Sequence, residues 1–178
     1  MIALSPTPVL HSKALVLRAP AAHDYPHWRD FQASERSVFI RPAPEFDEGL
    51  VWRAWAAVIG HWVMHGWGPF VVTPQDSDRG LGLVGPWQPH GWPEAEILWN
   101  LWDGANEGRG LMAEAAAMAR AHLYTDLGWD SVVSYVDAAN TRSAALAERL
   151  GCRLDPQAAT PLGKPCLVYR HPKPEDLA

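Results

Sequence analysis

The sequence predicts a mixed α/β fold in which helices pack as layers on a sheet. Two observations carry this. Short runs of high β propensity and stretches of helical periodicity follow one another unevenly: strand, helix, helix, three strands, helix, strand, helix, then one or two strands. That order is neither a regular βα alternation nor a barrel. In addition, 178 residues with 48% hydrophobic and 20% charged content suit a soluble chain with a sizeable core. Residues 1–178 are therefore expected to form a single domain, with residues 1–12 a loose N-terminal arm.

The elements follow in order. Lys13 to Arg18 alternates weakly and reads as a strand. Ala22 to Ser34 is a candidate helix, with His23 and Asp24 near its start. Phe46 to His65 is a better one: Val51, Trp55, Val58 and Trp62 recur at helical spacing, with Trp52 and Ile59 alongside, and Gly66 supplies the stop. Phe70 to Thr73, Leu81 to Gly85 and Glu94 to Trp102 read as three strands, the first two separated by the turn-rich Pro74 to Gly80. Leu111 to Thr125 is a helix with Leu111, Met112, Ala115, Met118, Ala119 and Leu123 on one face. Ser131 to Val136 has strong β propensity. Asn140 is a natural N-cap for a short helix from Thr141 to Leu150. Leu167 to Tyr169 is the last strand.

Composition excludes several functions. The net charge of −5 and the lack of a Lys/Arg block argue against a nucleic-acid partner. No apolar run approaches the roughly 20 residues that span a bilayer, so no membrane partner is expected. The segment Met1 to Pro6 has no basic stretch and no long apolar stretch, and does not read as a signal peptide. Cys152 and Cys166 are expected to be free thiols in a reducing compartment, which places the chain in the cytoplasm. Ten tryptophans must be shared between core, cleft and a possible homodimer surface.

The segment most suggestive of chemistry is Asn106-Glu107-Gly108-Arg109-Gly110-Leu111-Met112-Ala113-Glu114-Ala115. Gly108 and Gly110 allow open backbone conformations and close ligand approach. The helix behind them starts with free N–H groups and partial positive charge, a receptor for phosphate. The same residues match G-x-G-x-x-G/A, with Asp137 as a conceivable ribose-binding acid. Against a dinucleotide site, Asp103 to Glu107 separates the strand from the first glycine. Too little chain also follows Asp137 for the remaining parallel strands. A P-loop is excluded because no Gly-Lys-Ser/Thr follows. A glycine turn that merely caps a helix is the plain alternative.

Glu94 to Trp102, the glycine turn, Ser134-Tyr135-Val136-Asp137-Ala138-Ala139-Asn140-Thr141-Arg142-Ser143 and Leu146-Ala147-Glu148-Arg149-Leu150-Gly151 together resemble the GNAT family of acyl-CoA N-acyltransferases. The chain is most similar to the branch containing the ribosomal-protein N-terminal acetyltransferases. Lys13 to Pro20 resembles that branch's opening strand, and Tyr169-Arg170-His171-Pro172 the ending of many members. The resemblance implies a central, mostly antiparallel sheet flanked by helices. It also implies direct attack of a primary amine on acetyl-CoA, without a metal. The acceptor would be a protein N-terminus or a small molecule. A non-catalytic acyl-CoA sensor or partner-binding module on the same fold is the alternative.

The resemblance also assigns roles. Gly108, Arg109 and Gly110 would cradle the pyrophosphate. The strand through Leu98, Trp99, Asn100 and Leu101 would pair with the pantetheine arm. A backbone N–H near Asn100 or Leu101 would meet the thioester oxygen. Ser143 is the candidate donor to the departing sulfur, or a second capping hydroxyl beside Asn140, which itself caps the helix and is a candidate CoA contact. Glu96 is the candidate base, through a water, or else a surface carboxylate. His61 and His65 are alternative bases. Trp67, Trp87 and Trp92 flank the strands where acceptor specificity often resides in this family, as pocket wall, core or interface. Two departures stand out: Ala105 replaces the usual Gln or Arg of the glycine motif, and Ala147 stands where many members carry a Tyr as general acid.

Overall fold

The structure, a computed structural model, describes residues 7–177. Residues 1–6 of the expected arm lie outside the described residues. The rest of the arm is not loose: β1 (Leu10–His11) pairs with β2 (Leu15–Arg18), Leu10 opposite Leu17. The chain continues through α1 (Tyr25–Ala33), α2 (Glu48–His65), β3 (Phe70–Pro74), β4 (Gly82–Trp87) and β5 (Glu96–Leu101). It ends with α3 (Leu111–Thr125), β6 (Val133–Val136), α4 (Thr141–Arg149), β7 (Arg153–Leu154) and β8 (Leu167–Arg170). The eight strands form one sheet in the order β1-β2-β3-β4-β5-β6-β8-β7. Every neighbouring pair is antiparallel except β5 and β6.

Local sequence sets the boundaries. Ala22 to Asp24 forms a 3₁₀ turn instead of the first turn of α1, because the Asp24 carboxylate folds back to accept the Ala21 N–H at 2.8 Å. Asp47 caps α2 by accepting the Leu50 N–H at 2.8 Å, so the helix begins after Phe46. The oxygen of Asn140 accepts the Ser143 N–H at 3.2 Å and starts α4.

Strand alternation divides the core between two faces of the sheet. On one, Phe70, Val72, Val84 and Ile97 meet the α3 stripe of Met112, Ala115, Ala119 and Leu123, and Ala147 and Leu150 join from the α4 end. On the other, Val71 and Leu83 meet Trp28 and Phe31 of α1 and Val51, Trp55 and Val58 of α2. Trp28, Trp55 and Trp102 nest here, with ring centroids 5.8 to 6.5 Å apart. Trp62, on the first face, meets Phe70 edge-on at 5.1 Å. These four tryptophans are therefore core, whereas Trp52 of α2 is exposed.

Gly82 of β4 lies beneath Met112, in the first turn of α3. A Cβ there would overlap the carbonyl oxygen of Asn100 and stand 3.0 Å from the Met112 methyl. Backbone cannot yield as a side chain does, so Gly82→Ala is expected to cost about 1–3 kcal/mol. Chemical denaturation measures it as a lower midpoint with an unchanged slope.

Candidate active site

Strands β5 and β6 touch at one end and part at the other. Among the described residues they pair only at Glu96 and Val133. Two side chains close the ladder beyond that point. The Ser134 hydroxyl donates to the Ile97 carbonyl at 2.6 Å, where a β6 N–H would otherwise reach. The Tyr135 N–H instead donates to Glu96 Oε2 at 3.3 Å. With its one proton committed, Ser134 accepts from His171 Nε2 at 2.9 Å. Burial pushes the His171 ring down to about 3, so it stays neutral.

From there the strands diverge, and α4 crosses the gap. The carbonyls of Ala95, just before β5, and of Ile97 and Leu101 within it all bond away from β4. By alternation, the backbone groups of Trp99 and the Leu101 N–H face the gap too. The Asn100 N–H faces β4, so of the two N–H groups named above only Leu101's points into the opening.

The gap leads into a cavity of about 370 Å³. Trp99, Asn100 and Leu101 of β5 line it, with Gly108 and Gly110 of the turn, Asn140 capping α4 and Ser143 within that helix. Gly108 and Gly110 have φ of 72° and 76°, the left-handed region that favours glycine. The first α3 bond runs from Glu114 N–H to Gly110 O. The N–H groups of Leu111, Met112 and Ala113 thus precede the helical ladder and belong to the end that attracts anions. Trp99 Nε1–H donates to Ser143 Oγ at 3.2 Å, across the gap. That hydrogen bond uses a Ser143 lone pair and leaves the hydroxyl proton for another acceptor.

The remaining predicted residues lie elsewhere. Arg109 turns to Asn106 Oδ1 at 3.0 Å. Leu98 packs on the α1–α2 cluster. Glu96 sits at the closed end of the gap and is buried, so it is not a surface carboxylate. Its Oε1 accepts Trp92 Nε1–H at 2.8 Å, yet burial outweighs both hydrogen bonds and raises the carboxyl to about 7.

Both ring nitrogens of His61 are engaged: Nε2 accepts the Gln88 N–H at 3.1 Å and Nδ1 donates to Trp67 O at 3.0 Å. Burial lowers its pKa, and the ring acts as a packing plate for Trp87, 4.8 Å away. The His65 ring lies tilted against that of His61, with centroids 4.3 Å apart. Trp67 packs edge-on against Trp129 at 4.8 Å. Among the described residues, the cavity lining includes none of Trp67, Trp87 and Trp92. Ala147 is fully buried in the core.

The rest of the lining includes Phe31, Arg36, Phe39 and Ile40, from α1 and the segment after it. Sequence reasoning assigned these residues no role. The available signal was the apolar run Val38-Phe39-Ile40 outside any helix or strand. Arg36 Nη2–H donates to Leu101 O at 3.1 Å. Its Nη1 pairs with Glu107 at 2.7 Å, and Arg142 pairs with the same carboxylate at 2.8 Å. Arg36 first, then Arg142, holds the Glu107 carboxyl below its ordinary range.

A family model for the acetyltransferase (GNAT) domain matches residues 14–153. The chain belongs to the GNAT acetyltransferase family. An acetyltransferase from Agrobacterium tumefaciens superposes with a TM-score of 0.85 at 36% identity, over 93% of this chain and 95% of that one. At lower identity the fold alone is shared. A ribosomal-protein-S5-alanine acetyltransferase from Vibrio fischeri gives a TM-score of 0.67 at 13% identity, over 92% and 95% of the two chains. A spermidine N-acetyltransferase chimera from Vibrio cholerae gives 0.66 at 18%, over 89% and 93%. The open, mostly antiparallel sheet flanked by helices is the fold of this family. Among the described residues no helix is long and apolar enough to cross a membrane. No cluster of three His, Cys, Asp or Glu among them could hold a metal.

Proposed function

We propose that this protein transfers the acetyl group of acetyl-CoA to a primary amine by direct attack. The observation that carries this is the shared cavity: the glycine turn, the gap-facing edge of β5 and Ser143 line one space. The turn and the start of α3 hold the pyrophosphate. The Trp99 backbone pairs with pantetheine amides as a further strand would. As the amine nitrogen bonds to the acetyl carbon, the carbonyl oxygen gains charge and the Leu101 N–H donates to it. The carbon–sulfur bond then breaks, and the Ser143 hydroxyl donates to the sulfur as it leaves. Glu96, with its carboxyl near 7, receives the amine's surplus proton through a water.

Glycine turns also occur without ligands. Here the turn is joined to a strand edge and a hydroxyl aimed at one cavity, an arrangement a simple helix cap does not require. The test is titration with acetyl-CoA, with NAD as control, followed by CoA release on adding amines. Saturable acetyl-CoA binding and amine-dependent release are expected. Binding without release for any amine would leave a sensor on the same fold.

Ser143→Ala is expected to lower kcat about 10–100-fold while acetyl-CoA affinity changes less than threefold, as loss of a donor used late in the reaction does. Trp99→Phe keeps an aromatic ring but removes the N–H together with the five-membered half of the indole. It is expected to lower kcat about three- to tenfold in the wild type and to have little effect in Ser143→Ala. That non-additivity, read in a double-mutant cycle, distinguishes a contact through Ser143 from general loss of packing.

A further inference from the structure

From the part of the lining contributed by α1 and the segment after it we infer the acceptor class: a primary amine with an apolar group beside it, without a second cationic centre. This rests on the acetyl-transfer reading above. The apolar part of the wall is Phe31, Phe39 and Ile40. Ile40 is 46% exposed and its neighbour Val38 51% exposed, in a segment that is neither helix nor strand. Such side chains at a cavity mouth offer apolar area that a ligand can cover. Arg36 fixes this wall to the end of β5 through the Leu101 carbonyl at 3.1 Å.

Charge narrows the choice. Among the described lining residues the only carboxylate is Glu107, already held between Arg36 at 2.7 Å and Arg142 at 2.8 Å. Arg149 adds a third cation to the lining. A polyamine or lysine-rich segment bringing a second ammonium would meet guanidinium groups and no uncommitted carboxylate. An apolar wall beside the reacting nitrogen works the other way: desolvation disfavours the ammonium and favours the neutral amine that attacks.

A free aromatic amine and a peptide with an apolar first residue share this chemistry. Four acceptors separate the cases: phenethylamine, a tetrapeptide amide starting with Phe, spermidine, and an N-acetylated tetrapeptide with one internal Lys. CoA release with the wild-type protein is expected to show kcat/KM for one or both of the first two at least tenfold above the others. The better of the pair identifies the source. Phe39→Ala is expected to raise KM for that acceptor about tenfold. Ile40→Glu, at an exposed position, should shift the ratio of kcat/KM towards spermidine at least tenfold. A wild-type preference for spermidine or the lysine peptide overturns the inference and leaves acetyl transfer standing. So does a ratio that Ile40→Glu moves less than twofold, or turnover with none of the four by a protein that binds acetyl-CoA. Failure to bind acetyl-CoA at all, seen in the titration, removes the acetyl-transfer reading itself and the inference with it.

Discussion

Gly110→Val is expected to weaken acetyl-CoA binding about 30-fold or more while the protein remains folded. Gly110 has φ of 76°, and a Cβ there would meet nothing within 4 Å. The obstacle is therefore backbone conformation, not space. A non-glycine residue in the left-handed region costs about 1–2 kcal/mol, and β-branching makes it worse. The turn escapes this cost by rotating, which swings the N–H groups of Gly110 and Leu111 off the ligand. Charge-assisted hydrogen bonds are worth about 1.5–3 kcal/mol each, so losing one or two gives the stated loss of affinity. Strain in a surface turn lowers Tm by only a few degrees, about 3–8 °C. Gly128→Val supplies the control. It carries the same strain, with φ of 66°, at the far end of α3, so Tm should fall similarly with affinity intact. Calorimetric titration of both variants decides the matter. Unchanged affinity in Gly110→Val would remove the pyrophosphate assignment.

Features that depend on neighbours in the chain were legible in the sequence. The glycine turn, the Asn140 cap and the α2 stripe of Val51, Trp55, Val58 and Trp62 each rest on local periodicity or a capping side chain. Features that depend on distant partners were not. Nothing near Ser134 announces that its hydroxyl takes the Ile97 carbonyl, 37 positions away. Arg36 reaches Leu101 across 65 positions, so the cavity's second wall exists only in the folded chain. β1 and β7 have two residues each and are strands only because β2 and β8 lie beside them. Among the tryptophans, composition indicated burial without telling core from cleft. Trp92 proved to be a partner of Glu96, and Trp99 a partner of Ser143.

Glu96 links stability and turnover to pH in opposite directions. Burial raises its carboxyl from 4.5 to about 7 in the folded chain. Below pH 4.5 both folded and unfolded forms carry the proton, and the group costs nothing. Between about 5 and 7 the unfolded chain has released its proton while the native state still holds it, so stability falls as pH rises. Above 7 both are ionised and the native state bears a constant cost of about 3 kcal/mol. The carboxylates held low by arginine or histidine, such as Glu107, Asp126 and Asp155, titrate beneath this window and have the opposite sign. His171, lowered to about 3, and His61, also lowered by burial, act oppositely up to about 6.5, where the unfolded chain takes up protons that they refuse in the native state. The Glu96 contribution is therefore read as the difference in stability between wild type and Glu96→Gln, followed by urea denaturation from pH 5 to 8. That difference should fall as pH rises, whatever the hydrogen-bond cost of the amide at a fixed pH, because an amide has no proton to exchange. Turnover should move the other way. If the ionised carboxylate takes the amine's proton, kcat/KM rises with pH through an inflection near 7, and Glu96→Gln removes that inflection. A variant that removed this pH-dependent part of the stability but kept the kinetic inflection would make Glu96 a strut closing the β5–β6 gap through Trp92 and Tyr135, and the base would have to be sought elsewhere. Loss of both places structural strain and proton transfer on one buried carboxylate.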